Sequence, residues 1–337
     1  MNRDIRSVPE HNNSTHNTQT EHNTLLQTLI FTNMLVLIPG ISGNMGTRLA
    51  KAAAARGLSV RGLGRDPSKV PEDVKLESFV TSTSYYDIPA IEKAVQGVDA
   101  IICAYMSTDV LVLDGHLILL RAAERAGVKI FFSASWNNDW TRNKFGDFEH
   151  YDAYIAFHHQ AAMTSPIKPV YIFNGFFDSL LFTVFGPGGF DTTGEVPTLK
   201  YWGDERNRKF WWIAQEDAAA WTIELLFNKD VQEGKGGVFR FRSGEVTLDE
   251  LAAAYQKTTG TPAKVVRAGS VEDISQEVQA AREEKGLAGY WDYAAQAVSL
   301  NVARGVWDIP AEEVTNLDHA KKPTALEEYL KQRFQSS

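Results

Sequence analysis

The stretch Met34 to Lys69, MLVLIPGISGNMGTRLAKAAAARGLSVRGLGRDPSK, decides the fold. Leu35 to Ile38 is a short apolar run of the kind a strand buried on both faces needs, and Pro39-Gly40 ends it. Gly40, Gly43 and Gly46 follow at three-residue spacing. A turn of this kind asks for glycine where the backbone is tight, where it must approach a pyrophosphate, and where a helix must pack close to a strand. Residues 45–56 are rich in helix formers, Gly57 stands where a C-terminal cap belongs, and Leu58 to Leu63 reads as a second strand. Three glycines alone say little. Strand, turn, helix and strand at a length suited to a right-handed parallel crossover together indicate a dinucleotide-binding unit. The helix N-terminus then offers free amide donors to phosphate oxygens, so Gly40, Ser42, Gly43, Asn44, Met45 and Gly46 are the first expected contacts.

The second strand runs into Gly64-Arg65-Asp66, with Lys69 close behind. An NAD site usually places an acid at the ribose hydroxyls here, whereas an NADP site places arginine at the 2′-phosphate. Arg65 offers a planar, permanent cation and Lys69 a second charge, which favours NADP. Two alternatives stay open. Arg65 can be a solvated side chain paired with Asp66, and Asp66 can itself take the NAD role.

Working outward, strands are expected at Leu76 to Val80, Asp99 to Tyr105 and Val128 to Phe132, with helices at Ile88 to Gln96 and Leu111 to Ala126. The alternation predicts an α/β fold with a doubly wound parallel sheet of the Rossmann type. Ligands in such sheets lie beyond the carboxyl ends of the strands, which singles out Ala104, Tyr105 and the residues to Ser107, and Ser133 to Asn138. The single cysteine, Cys103, falls in the fourth apolar run and reads as a buried, inert thiol.

The next segment, YDAYIAFHHQAAMTSPIKPVYIFNGFFDSLLF, places Tyr154 and His158 four residues apart. Short-chain reductases set Tyr and Lys at this spacing, so that one helix face carries a phenol and the cation that lowers its pKa. Tyr154 and His158 are therefore the catalytic candidates, against the alternative that both merely pack a helix on the sheet.

With these motifs in place, the chain resembles the NmrA-like and isoflavone-reductase-like group of atypical short-chain dehydrogenases. The resemblance runs from Met34 to about Phe334. It rests on the glycine turn, the Arg65-Asp66-Pro67 corner, and the segments AAERAGVKIFF, IKPVYIFNGFFDSLL and YWGDERNRKFWWIAQEDAAAW. It implies NADP at the turn and the arginine corner, with Asn174, Phe176 and Phe177 near the nicotinamide. It also implies a lysine on the helix after the fifth strand, where this chain has His158 or His159, and a Pro-Ser-Glu-Trp-Gly-like run where it has Ser133-Ala134-Ser135-Trp136-Asn137. Imidazole is a weaker cation than ammonium, so the group's usual proton chemistry is in question.

Two functions follow. One is an NADPH-dependent oxidoreductase acting on a small aromatic or polyketide-like metabolite, in secondary metabolism. The other is a non-catalytic NADP(H) sensor that docks a protein partner.

Composition is that of an ordinary globular protein: 337 residues, 44% hydrophobic and 23% charged. A formal charge of −8 argues against nucleic acid as the main partner. Residues 1–33 are Asn-, Thr-, His- and Gln-rich and read as a disordered tail with neither a secretory nor a transit pattern, and a start at Met34 costs the fold little. A cytoplasmic, membrane-free protein is expected. The histidines at 11, 16, 22 and 116 lack metal-site spacing. The chain divides into 34–182, which binds nucleotide, and 183–337, a smaller C-terminal α/β substrate lobe interleaved with it. Residues 185–212 read as a loop-rich, aromatic stretch, and Thr247 with Glu250 as a capping box opening a helix.

Overall fold

The structure, a computed structural model, describes residues 34–335; the expected tail 1–33 lies outside them. Its strands are β1 (Leu35–Pro39), β2 (Ser59–Gly64), β3 (Ser78–Thr81), β4 (Ala100–Ile102), β5 (Ile130–Phe132), β6 (Val170–Phe173), β7 (Phe176–Phe177), β8 (Thr198–Trp202), β9 (Phe210–Ile213), β10 (Gly237–Arg240), β11 (Gly244–Val246) and β12 (Lys264–Gly269). The helices are α1 (Asn44–Ala55), α2 (Ile88–Val95), α3 (His116–Ala126), α4 (Asp152–Thr164), α5 (Gln215–Glu224), α6 (Lys229–Gln232), α7 (Leu248–Thr259), α8 (Val271–Lys285), α9 (Tyr290–Ala303) and α10 (Leu326–Gln335).

Seven parallel strands make the main sheet in the order β10-β6-β5-β4-β1-β2-β3. The direction of winding reverses between β1 and β4, the switch point beyond whose strand ends such sheets hold their ligands. Val36, Leu37 and Ile38 of β1 and Ala100, Ile101 and Ile102 of β4 are wholly buried. Helices cover the sheet: α1 packs with α5, and α2, α3 and α4 pack in succession. Burying each large side chain of β1 contributes roughly 1.5–3 kcal/mol, which is why these runs are continuous rather than alternating.

The second half of the chain supplies β10 to the main sheet, where it pairs in parallel with β6. It also builds a three-stranded sheet β11-β9-β7 and a two-stranded parallel sheet β12-β8. Here the sequence reading needs correction, because the stretch taken as loop contains β8 and β9. All four residues of β9, Phe-Trp-Trp-Ile, are buried, and aromatic side chains suit a strand enclosed on both faces. The stretch 111–126 is helical throughout, as expected, with Leu111–Gly115 wound as a π-turn and α3 regular from His116. The buried imidazole of His116 explains the join, since Nδ1 donates to the Leu111 carbonyl (2.8 Å) and Nε2 accepts from Ala134 N–H (3.0 Å). Burial pushes this histidine down to about 4, so it is held neutral. No helix among the described residues is long and apolar enough to cross a membrane.

Candidate functional site

The glycine turn has the geometry its chemistry asks for. Gly40 ends β1 at φ +78°, and a Cβ there would lie 2.4 Å from the Ala104 carbonyl oxygen beyond β4. Gly46 is buried in the first turn of α1, where a Cβ would come within 2.3 Å of the Gly40 carbonyl oxygen. Gly43 is the N-cap; no side chain caps α1 and no acid sits in its first turn. The leading amides of Asn44, Met45 and Gly46 thus keep the open donors of a helix start. Gly43 and Asn44 are exposed and Ser42 and Met45 half-buried, so the cradle faces outward. Ser42 Oγ lies 3.9 Å from where a Cβ of Gly64 would be, which brings the turn beside the end of β2.

At that end the Asp66 carboxylate turns to Ser68, accepting from its N–H (2.9 Å) and hydroxyl (2.7 Å). Those two bonds hold Asp66 below the usual carboxylate range. Arg65 and Lys69 are exposed, and Arg65 enters no ion pair among the described residues. The alternative in which Arg65 is spent on Asp66 is therefore not the arrangement formed. Arg48, one turn into α1, is engaged with Glu216 at the start of α5 (2.8 Å).

Beyond the end of β4, the Ala104 amide donates to Pro39 (2.9 Å), and Tyr105 is half-buried with its phenol pushed up by burial. Ser133 is buried and its N–H donates to Val170. Asn174 is wholly buried at the end of β6, and neither polar atom of its side-chain amide has a hydrogen-bond partner among the described residues. Phe176 is buried and Phe177 half-buried in β7.

Tyr154 and His158 share one face of α4, and both rings meet Trp140. They do not bond to each other. Tyr154 is 2% exposed, burial raises its phenol to about 12, and its hydroxyl lies 2.5 Å from Ser107 Oγ. His158 is half-buried between Trp140 and Tyr171, and burial lowers its pKa. The residue that shares Ser107 with Tyr154 is His150, whose Nε2 stands 2.9 Å from the Ser107 hydroxyl. Sequence reading missed His150. Ser107 lay in the segment marked after β4, but nothing in the local pattern links it to a residue 43 positions away.

His150 also lines a cavity of about 600 Å³ between the loop after β4, the start of α4 and the start of α9. Its wall carries Phe145, Tyr290 and Trp291 together with the carboxylates of Asp109, Asp114, Glu149 and Asp152, and no lysine or arginine. Glu149 is paired with Arg282 (2.5 Å) and accepts from the Tyr293 hydroxyl (3.0 Å).

The fold is shared with known proteins. Similar solved structures include an isoflavone reductase (17% identity, 89% of this chain and 99% of that one, TM-score 0.70). Another is the leucoanthocyanidin reductase–NADPH complex from Vitis vinifera (18% identity, 89% and 99% covered, TM-score 0.67). A third is AtPrR2 with NADP+ and (+)-pinoresinol (19% identity, 89% and 98% covered, TM-score 0.68). Identities this low speak for architecture alone. No curated protein matches the chain in sequence. The model of the NmrA-like family, however, matches residues 32–330, nearly the whole of the described chain, and the protein belongs to that family.

Proposed function

We propose that the protein is an NADPH-dependent oxidoreductase that reduces a small aromatic or polyketide-like molecule. The observation that carries this reading is the open glycine turn at 40–46 with Arg65, unpaired among the described residues, at the end of β2, and a ligand-sized cavity bordered by the loop after β4. Gly40 and Gly46 have no room for a side chain, and the start of α1 is left uncapped, which fits a pyrophosphate. Arg65, with Lys69 behind it, fits a 2′-phosphate. When bound, the nucleotide supplies hydride; the chain's own residues position the acceptor and handle its proton. Tyr154 serves through the hydroxyl it shares with Ser107. The aromatic and acidic wall suits a neutral or cationic ring better than a carboxylate-bearing one.

A second reading, an NADP(H) sensor that docks a partner, is favoured by one observation. His158, which stands near the group's lysine position, makes only ring contacts with Trp140, Tyr171 and His159. Fluorescence titration with NADPH and NADH, followed by a panel of aromatic aldehydes, ketones and enones with cofactor oxidation monitored, separates the two. Tight NADPH binding with turnover of a panel member is the expected result. Tight binding without turnover supports the sensor, and no binding removes both.

A further inference from the structure

Ser107, His150 and Tyr154 form a continuous polar chain that ends at the cavity. Ser107 Oγ stands 2.9 Å from His150 Nε2 and 2.5 Å from the Tyr154 hydroxyl. Tyr154 is closed off behind the wall, and His150 is the member that lines the cavity. With Nε2 occupied by Ser107, Nδ1 is the ring nitrogen left without a hydrogen-bond partner among the described residues. The ring itself is fixed from several sides, by Phe148, Tyr151 and Tyr154 and by Tyr290 and Trp291 of α9. Ser107 lies in the loop after β4, three residues past Ala104, whose carbonyl closes on Gly40.

We propose that His150 is the catalytic residue that exchanges a proton with the molecule held in the cavity, and that Ser107 and Tyr154 are positioning residues that set its ring and tautomer. The inference rests on the reductase reading above. In the reduction of a carbonyl, a bound dihydronicotinamide nucleotide would supply the hydride for the new C–H bond at the carbonyl carbon and would be oxidised in turn. The C=O π pair moves to oxygen, and that oxygen takes the proton from Nδ1 of the His150 imidazolium. Nε2–H stays bonded to Ser107 Oγ throughout, and the neutral ring regains its proton from water at the cavity mouth. One imidazolium proton and one hydride thus convert C=O to CH–OH.

The groups facing His150 are Ser107 and Asp109 from the loop after β4, Tyr151 and Tyr154 from α4 and its approach, and Tyr290 from α9. Glu149, bonded to Arg282, and Asp152 and Asp114 share the cavity wall. Burial lowers the His150 pKa below its ordinary 6.5, and Asp109 opposes this weakly. The proton donor is therefore lost as pH rises through a range below 6.5, and reduction should quicken on acidification.

Two measurements on the full chain test this. NMR titration of the His150 ring without nucleotide should give a pKa below that of a free histidine, displaced by both Ser107→Ala and Tyr154→Phe. Absence of any displacement would show that the polar chain does not exist in solution and would overturn the proposal. With the aromatic carbonyl of the panel that is turned over fastest, His150→Ala should lower kcat by about 10²–10⁴ with NADPH affinity unchanged. Added imidazole should restore part of the loss, and His150→Asn should abolish the acid-side rise. Ser107→Ala should move the pH profile more than KM. Unchanged kcat and pH profile in His150→Ala would overturn the proposal while leaving the reductase reading standing, and NADPH binding with no panel member reduced would overturn both.

Discussion

Under the reading proposed above, Arg65 is the residue that would tell apart two nucleotides that differ by one phosphate. Its guanidinium is exposed and enters no ion pair among the described residues while Asp66 is occupied with Ser68, so the cation can meet a 2′-phosphate and the acid cannot meet ribose hydroxyls with both oxygens. Arg65→Ala should weaken NADPH by about tenfold to a hundredfold, the range expected for one charge-assisted hydrogen bond, and leave NADH nearly unchanged. Equal weakening of both in fluorescence titrations would mean that Arg65 does not read the phosphate. At this scale the geometry of the glycine turn was legible in the sequence because its residues are local: Gly40, Gly43 and Gly46 lie within one strand–helix–strand unit. The polar chain was not. His150 and Ser107 are 43 residues apart, and only the placement of α4 against the loop after β4 brings them together. The four-residue spacing of Tyr154 and His158 was legible too, yet spacing fixes a helix face and not what that face meets. Tyr154 finds Ser107, while His158 finds two rings.

Elements with both a periodic pattern and an end signal were readable in the same way. α7 begins where Thr247 and Glu250 were expected to start it: Thr247 Oγ1 accepts from Glu250 N–H (3.2 Å), and Glu250 Oε2 accepts from Thr247 N–H (2.8 Å). Thr247→Ala should lower stability by about 1 kcal/mol, seen as a lower urea midpoint with unchanged slope, and Thr247→Ser should restore it. An unaltered midpoint in Thr247→Ala would show that packing of α7 on α10, and not its cap, sets the helix boundary. Where such signals were missing the reading failed. β8 and β9 flank Gly203 to Lys209, a turn-rich, charged stretch, and the surrounding aromatics carry no alternation because β9 is buried on both faces. The helix at 111–126 was read correctly, but its opening π-turn has the same apolar spacing as an α-helix. It is told apart only by the His116 bonds to Leu111 and Ala134, which no local pattern announces.

Across the whole molecule, the last 25 residues or so of the described chain tie distant parts together, and they do so by two kinds of contact. Asp217, wholly buried in α5, receives the Lys321 ammonium, the Thr324 N–H (2.7 Å) and hydroxyl (2.8 Å) and the Ser243 hydroxyl (2.5 Å). The Trp221 indole N–H adds a bond to the Lys321 carbonyl (3.1 Å), and the Tyr329 hydroxyl donates to the Asp178 carbonyl (2.6 Å), which brings α10 against the turn that follows β7. By contrast, Glu327 of α10 reaches Lys257 of α7 in a pair whose side chains are 61% and 72% exposed. Solvent screens the second contact, so it should add little, whereas removing a carboxylate at the centre of a buried network strands every donor aimed at it. Asp217→Ala should therefore cost about 3 kcal/mol or more in chemical denaturation, and Glu327→Ala should leave the midpoint nearly where it was. Thr324→Ala should cost less than Asp217→Ala, and the double substitution less than the sum of the two, because both act on one network. If Asp217→Ala proved as mild as Glu327→Ala, the C-terminal segment would be held by its apolar contacts, such as Leu330 and Leu317 in the core, and the buried carboxylate would have no part in fastening it.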